Sequence, residues 1–580
     1  MRLTITKTKN SESFFVIKSV TINGKRTSKV VEKLGNINDV KLKAQGKDPY
    51  SWAKEYVATL NKQEKENSND VILKLSQTKT LKDNEQIVFN GGYLFLQDIY
   101  YKLGLHTICH SISNKYQFQY DLNQILSRLV YSRIIYPSSK LKTLNLSQNF
   151  IEPPDFSYND ILRALEVIAK ESDFIQSELY KNSLKFLKRN DKILYYDCTN
   201  YFFEIEEESN LRQYGKSKEN RPNPIVQMGL FLDGDGIPLA FDIFAGNTNE
   251  QVTLKPLEEK IIKDFNSSRF VVCTDAGLAS TANRKFNNLD GRCFITTQSI
   301  KKLKSFLKEW ALDLTKDWKL SNQSKDDKTT YDISKLRENG DLIKKYYDKT
   351  FYKERWIKED GLEQRLIVTY SVKYQEYQKK IRENQVGRAL KLIEKNPQKL
   401  GKVRQNDPKR FIETITSTKD GEIAENVSYK LNYDIIANEA MYDGLYAVCT
   451  NLEDDAQEII RVNHRRWEIE ESFRLMKSEF KSRPVYLSKD ERIKAHFTTC
   501  FLALVIFRYL EKIIEEEYPA EQIIEVLRNY NFREFQGFGY SPLYKVTDLI
   551  HLLHNKTGID TNKEIISYKN FYKICKQTKI

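Results

Sequence analysis

The segment KILYYDCTNYFFE, residues 192–204, has the period and composition of a buried strand, yet it carries Asp197 among Tyr195, Tyr196, Tyr201, Phe202 and Phe203. An unpaired carboxylate is costly to bury. Whatever fold the chain adopts must therefore put a compensating group beside Asp197. At 580 residues the chain exceeds what one core can hold, and domains of roughly 100 to 200 residues predict several modules. Hydrophobic residues at 40% and aromatics at 12% support globular cores despite 30% charged residues.

Lys and Arg number 93 against 79 Asp and Glu, a net +14 with a pI near 9.0, which fits a polyanionic partner such as nucleic acid. The seven cysteines (Cys109, Cys198, Cys273, Cys293, Cys449, Cys500 and Cys575) form no CxxC pair and are odd in number. Reduced thiols in a cytoplasmic protein without structural zinc are expected. The longest apolar run, CFLALVIF at 500–507, is too short to span a bilayer, and MRLTITKTKN has no apolar leader. The expectation is a soluble chain with no membrane partner.

Residues 1–45 alternate apolar and polar, with Asn23-Gly24 as a hairpin turn, and predict a small β module. Residues 46–88 predict a helix passing into a polar linker near 62–70. Over 89–190 the spacing is helical, as in Leu122, Ile125, Leu126, Leu129 and Val130, and Pro137 with Ser138-Ser139 separates two helices. At 192 the period becomes that of strands. KILYYDCTNYFFE, PIVQMGLFLD and IPLAFDIFAG follow one another, the last two joined by Asp233-Gly234-Asp235-Gly236. A helix, the strand RFVVCTD, a helix opening at Ser280 and the strand CFITTQ complete a mixed sheet over 191–300. Residues 301–450 read as a strand-rich insertion containing LIVTYSVKYQEYQKKIRENQ. The stretch 451–520 predicts one long amphipathic helix and one buried helix, and 521–580 a small helical tail.

Asp275 repeats the problem of Asp197, since it ends the apolar strand FVVCT just before Ala276-Gly277. Two carboxylates at strands of one sheet repel, and one pKa rises unless a cation lies between them. A hard divalent ion such as magnesium resolves the conflict. Two such ions about 3.5 to 4 Å apart call for a third carboxylate, which RVNHRRWEIEESFRLMKSEF offers as Glu470. At about 100° per residue, Asn463, Arg466, Glu470, Arg474 and Lys477 share one face, beside an apolar stripe of Val462, Ile469, Phe473, Met476 and Phe480. Taken singly, each acid has a structural explanation in a backbone bond, a loop cap or an i,i+4 ion pair. Together they follow the order of a metal-dependent nuclease core.

On these motifs the chain, from about residue 90 to 510, resembles the DDE transposases of bacterial insertion sequences, in particular the insertion sequence 4 superfamily. DCT at 197–199 is similar to the first-Asp motif and TDAGLAS at 274–280 to the second. GKSKENRP at 215–222 and AGNTNEQVTL at 245–254 are similar to the loops between them, and DGLYAVCTN at 443–451 resembles the strand that re-enters the core. The signature Tyr-x2-Arg-x3-Glu-x6-Lys falls on Arg466, Glu470 and Lys477, with Asn463 where the family has tyrosine.

The resemblance implies an α/β fold: an RNase H-like mixed sheet in two parts, 191–300 and 451–520, with a β-rich insertion domain at 301–450. A helical DNA-binding region at 89–190 and the small N-terminal β module would precede it. It implies an enzyme that cuts double-stranded DNA at inverted-repeat ends and joins it to target DNA. Two Mg2+ ions, with Mn2+ able to substitute, would be held by Asp197, Asp275 and Glu470. Arg466, Lys477, Arg474 and Asn463 would contact DNA in a homodimeric end complex, cytoplasmic and nucleoid-associated in a bacterium. The alternative is an inactive DNA-binding protein derived from such an enzyme. Lys379, Lys380, Arg382 and Arg388 are further expected phosphate contacts.

Other motifs lead nowhere. GKS at 215–217 lacks the glycine five residues earlier that a phosphate loop needs, since that position is Asn210. HTICH at 106–110 and HLLH at 551–554 have no partner cluster at metal-ligand spacing and are expected to be core histidines.

The helix-face argument separates Glu470 from its neighbours, because Glu468 lies roughly 160° and Glu471 about 100° from it. Glu470→Gln is expected to lose at least about a hundredfold in single-turnover cleavage of labelled end DNA, while Glu468→Gln and Glu471→Gln stay within several-fold. Normal cleavage by Glu470→Gln alongside an inactive neighbour variant would refute the assignment.

Overall fold

The strand that carries Asp197 lies inside a nine-stranded mixed sheet, and the rest of its unit is built around that sheet. The structure, a computed structural model, describes the chain except residues 9–10, 23–24, 68–70, 74, 79, 81, 84, 325, 396–406 and 418–425. It forms two units, one of Met1–Ile87 with Glu534–Ser541 and Lys563–Tyr568, the other of Val88–Arg533, Pro542–Asn562 and Lys569–Ile580.

In the first unit, β1 (Arg2–Lys7), β2 (Glu12–Ile22) and β3 (Lys25–Asn36) form an antiparallel sheet. Phe14, Val16 and Leu34 on its apolar face pack against Val40, Ala53 and Val57 of two helices, Ile37–Ala44 and Pro49–Asn67. The second helix runs to Asn67, so the expected linker near 62–70 starts later. Asn23-Gly24, the expected turn, lies outside the described residues.

In the second unit, β4 (Val88–Asn90) precedes six helices between Tyr93 and Phe186, among them Leu122–Ile135 and Lys140–Ser147. The break expected at Pro137 and Ser138-Ser139 falls between these two, and Ser139 caps the second by accepting from the Lys142 amide. Then come β5 (Ile193–Phe202), β6 (Ile225–Asp233), β7 (Pro238–Ala245), β8 (Val271–Thr274) and β9 (Cys293–Thr297). β5, β6 and β7 pair antiparallel, while β5 runs parallel to β8 and β8 to β9. A central strand covered on both faces needs apolar residues throughout, which explains why β5 and β6 lack a clean alternation. The expected hairpin at Asp233–Gly236 joins β6 to β7. Gly236 sits at φ 79°, and a Cβ there would lie 2.0 Å from the Glu468 carboxylate, so the turn and the Glu470 helix meet closely.

The insertion differs from expectation. Residues 301–450 are not a separate β-rich domain, because β10 (Lys319–Leu320), β11 (Thr350–Glu359) and β12 (Leu362–Ser371) extend the same sheet. After the hairpin of β13 (Ile412–Ser417) and β14 (Asn426–Leu431), β15 (Leu445–Thr450) pairs with both β12 and β9. The sequence KYQEYQKKIRENQ, read as part of a strand-rich stretch, lies on the helix Val372–Glu394, capped by Ser371. Its Glu, Lys, Gln and Arg are good helix formers. Only Val372 and Ala389 of this helix are buried, so it shows no apolar period.

The expected single helix after 455 is two, Ala456–His464 and Trp467–Ser478. The helix Asp490–Ile513 follows, long and apolar enough to cross a bilayer but buried in the fold. Phe501 on it lies 4.9 Å from Phe241 of β7, and Phe497 4.9 Å from Tyr201 of β5. Residues 521–580 are not only helical: β16 (Asn531–Phe535) and β17 (Gly539–Pro542) lie among them, and Asn531 to Arg533 pair with β4.

A buried ion pair ties the entry to β5 to the β6–β7 turn. Arg189 Nε donates to Asp233 Oδ2 at 2.6 Å, Nη1 to Ser183 and Nη2 to the Ile237 and Pro238 carbonyls. The other Asp233 oxygen accepts from the Asp235 and Ile237 amides. Breaking one partner of such a pair costs about 3–5 kcal/mol. Asp233→Leu is expected to destabilise by that order in urea melts, and a change below about 1 kcal/mol would show that the pair does not anchor β5.

Candidate active site

The site begins from register. β5 and β8 pair parallel through Tyr195 opposite Cys273, and continuing two residues puts Asp197 opposite Asp275, with strands about 4.8 Å apart. Asp197 thus lies mid-way along β5, just past its parallel pairing with β8, and Asp275 directly follows the end of β8, the carboxyl edge at which open α/β sheets bind their ligands. Each spends one oxygen locally: Asp197 Oδ1 accepts from the Cys198 amide at 2.7 Å, and Asp275 Oδ1 from the amides of Gly277 and Leu278 at 2.9 and 3.1 Å. Among the described residues neither Oδ2 has a hydrogen bond. Burial, with Asp275 adding to it against the pull of Lys218 and Arg466, pushes the Asp197 carboxyl up to about 6. Each carboxylate thus keeps one oxygen free of hydrogen bonds among the described residues, the donor type that a hard divalent cation takes.

Glu470 is not gathered with them. It is 60% exposed and faces Arg466 at 3.6 Å on its own helix. No group of three or more potential ligands stands together among the described residues. The two Asp supply oxygen donors of the kind a divalent ion takes, but with Glu470 as placed no three-carboxylate set is assembled. Its neighbours form i,i+3 pairs, Glu468 with Arg465 at 2.7 Å and Glu471 with Arg474 at 2.5 Å, and Glu468 is mostly buried. Arg474 is thereby turned to Glu471 and lies apart from Glu470, although the two were expected on one face.

Lys477 does reach the site. Its Nζ donates to Thr199 Oγ1 at 2.7 Å, two residues beyond Asp197, and lies 3.5 Å from Glu219. Burial and nearby Lys218 lower its pKa to about 8. Asn463 falls on the helix before the break at Arg465–Arg466, and its amide donates to the Tyr446 hydroxyl at 3.4 Å. β15 thus brings Tyr446 against Asn463. Asn463, Arg466, Trp467 and Glu470 line an open cavity of about 880 Å3, with Tyr374, Tyr377 and Lys380 across it. Of the other basic residues, Arg382 pairs with buried Asp443 at 2.5 Å. Lys379 lies 4.0 Å from Glu383.

Lys218 was not singled out from sequence. It donates to the Cys198 carbonyl, pairs with Glu250 at 3.0 Å, and its charge acts on Asp197. Asn200 holds its loop to β5 by bonding the Lys216 carbonyl and the Lys218 amide. Loops carry no period, so the one available signal was a second lysine in GKSK. The histidine pairs are only half as expected: His554 is buried on Tyr530 and His106 stacks on Tyr101, while His110 and His551 are exposed.

The chain belongs to the transposase DDE domain family, whose sequence profile matches residues 203–506. The match begins just after Asp197 and includes Asp275 and Glu470. Among solved structures the chain is similar to piggyBac transposase in its synaptic complex with hairpin DNA, at 9% identity over 77% of this chain and 80% of that one, with a TM-score of 0.35. It is also similar to Mos1 transposase in its paired-end complex with the left transposon end, at 12% identity over 43% and 69%, with a TM-score of 0.13. No curated protein sequence matches it.

The Asp197 shift gives a pH prediction. A carboxyl raised in the folded state contributes stability that is fully present below its ordinary value near 3.8 and is lost as pH rises through about 6. Relative to Asp197→Asn, metal-free wild-type protein is expected to lose melting temperature between those limits, by at most about 3 kcal/mol of stability. Adding Mg2+ at neutral pH should raise the melting point of wild type and not of the variant. Parallel melting curves of the two proteins across that range would contradict the shift.

Proposed function

We propose that this family member is an active DNA transposase of the bacterial insertion-sequence type, of the insertion sequence 4 superfamily. It would bind the inverted-repeat ends of its element, cut there and join the ends to target DNA. The observation that carries this reading is the closeness of Asp197, within β5, to Asp275, just after β8, in a transposase chain. The strand order β7-β6-β5-β8-β9, with β5, β8 and β9 parallel, supports an RNase H-like core.

In this reading Asp197 and Asp275 hold the divalent cation, Mg2+ with Mn2+ able to replace it, and Glu470 joins them when its partner Arg466 turns to a DNA phosphate. A second ion becomes possible once Glu470 is in place. When bound, such ions supply positive charge to the phosphodiester oxygens and lower the pKa of a nucleophile. The chain's own part is positioning. Arg466 and Lys477 orient backbone phosphates, Lys218 holds the Asp197 strand end, and Asn463 with Tyr446 closes the side toward β15. Arg474 is left to its ion pair with Glu471. The helical region of 89–190 and the N-terminal sheet would read the element ends, in a homodimer that is cytoplasmic and nucleoid-associated.

The competing reading, a DNA-binding protein without activity, is separated by one experiment. Labelled end DNA is incubated with wild type and Asp275→Ala in Mg2+ and in Ca2+. Cleavage is expected only for wild type in Mg2+, with binding within a few-fold in every case, because calcium's larger and looser shell positions oxygens poorly. Binding without cleavage by wild type in Mg2+ or Mn2+ would favour the inactive form.

A further inference from the structure

Away from the carboxylates, two cations are buried together without an acid. A cavity of about 570 Å3 opens where the helix Lys140–Ser147 begins, closed by Arg133, His496 and the turn containing Lys481 and Arg483. Lys140 is 5% exposed, and its Nζ has no hydrogen-bond partner among the described residues. Burial and the charge of Arg133 lower its pKa to about 7. Arg133, 4% exposed, donates to the carbonyls of Ser138, Phe480 and Lys481 and leaves its Nε unpaired. Buried His496 bonds the Ser482 carbonyl and is held well below its usual pKa by burial, Arg133 and Lys140. No carboxylate lines the cavity.

Buried charges are normally paired, so a fold that keeps Lys140 and Arg133 here without an acid is prepared for an anion from outside. The local backbone suits one. Lys140 and Leu141 open the helix, where amides lack intrahelical partners and the dipole favours negative charge. The rim carries exposed Lys142, Lys481 and Tyr486.

We propose that this cavity is a binding site for a backbone phosphate of the DNA. The inference rests on the DNA-processing reading above and adds a contact point outside the signature residues. Continuity with the candidate active site favours a nucleic-acid phosphate over a free one. Arg483, on the cavity wall, pairs with Glu219, which lies 3.5 Å from Lys477, and Lys477 bonds Thr199 of β5. Lys477 stands about 10 Å along the helix from Glu470, so a strand crossing Glu470 and Lys477 leads on to the cavity.

The test uses the full chain with Lys140→Met, which removes the buried charge at nearly constant length, and Lys481→Gln on the exposed rim, where folding is not at stake. A labelled random-sequence duplex is titrated over a range of salt, and melting is followed with sodium phosphate against sodium chloride at equal ionic strength. Lys140→Met is expected to make the slope of log K against log salt shallower by about 0.9, one phosphate contact, with Lys481→Gln shallower in the same sense. Phosphate is expected to stabilise wild type and not Lys140→Met. Unchanged slopes in both variants, with wild type binding DNA, would overturn this site alone. A lost phosphate effect with unchanged slopes would make it a free-phosphate site and overturn the DNA assignment. Failure of wild type to bind DNA would instead overturn the proposed function, and this inference with it.

Discussion

The parallel pairing of β5 with β8 is the constraint on which the site depends. It brings the strand ends together in register, Tyr195 opposite Cys273, and so delivers Asp197 and Asp275 side by side. Without a cation, burial and the neighbouring carboxylate push Asp197 up to about 6. The sheet therefore holds a deliberate electrostatic conflict at its carboxyl edge. The surrounding elements hold the conflict in place: the Arg189–Asp233 pair fixes the start of β5, and the Tyr195 hydroxyl bonds the Val462 carbonyl to fix the helix before Glu470.

Around this edge the cations are arranged in layers. Lys218 and Arg466 act directly on Asp197, Lys477 stands at Thr199, and Arg483 reaches Glu219 behind them. Glu470, well exposed, lies 3.6 Å from Arg466 on its own helix and apart from the two Asp.

Much of this was legible in the sequence, and the failures have physical reasons. The succession of strands from β5 to β9 along the chain followed from period changes, and Asp197 stood out because its neighbours are apolar. The insertion was misread because the helix Val372–Glu394 is solvated nearly all round, so it shows no apolar stripe, while β10 to β12 belong to the main sheet through pairings that local sequence does not encode. The break at Arg465–Arg466 was invisible because Val462 and Ile469 keep the stripe in phase across it. Spacing alone does not show which acid a basic residue meets: Arg474 pairs with Glu471 and Arg382 with Asp443. Lys218 and Lys140 act through tertiary neighbours, and the one local signal was the second lysine of GKSK for Lys218.

The central claim is that Asp197 and Asp275 jointly hold a divalent ion. It is tested most directly by diffraction from crystals grown with Mn2+, using anomalous scattering to locate the metal. The account predicts a peak at about 2.0 to 2.2 Å from an oxygen of each carboxylate, lost in Asp197→Asn. Well-ordered Asp197 and Asp275 with no peak between them, at a Mn2+ concentration that fills other sites, would contradict it.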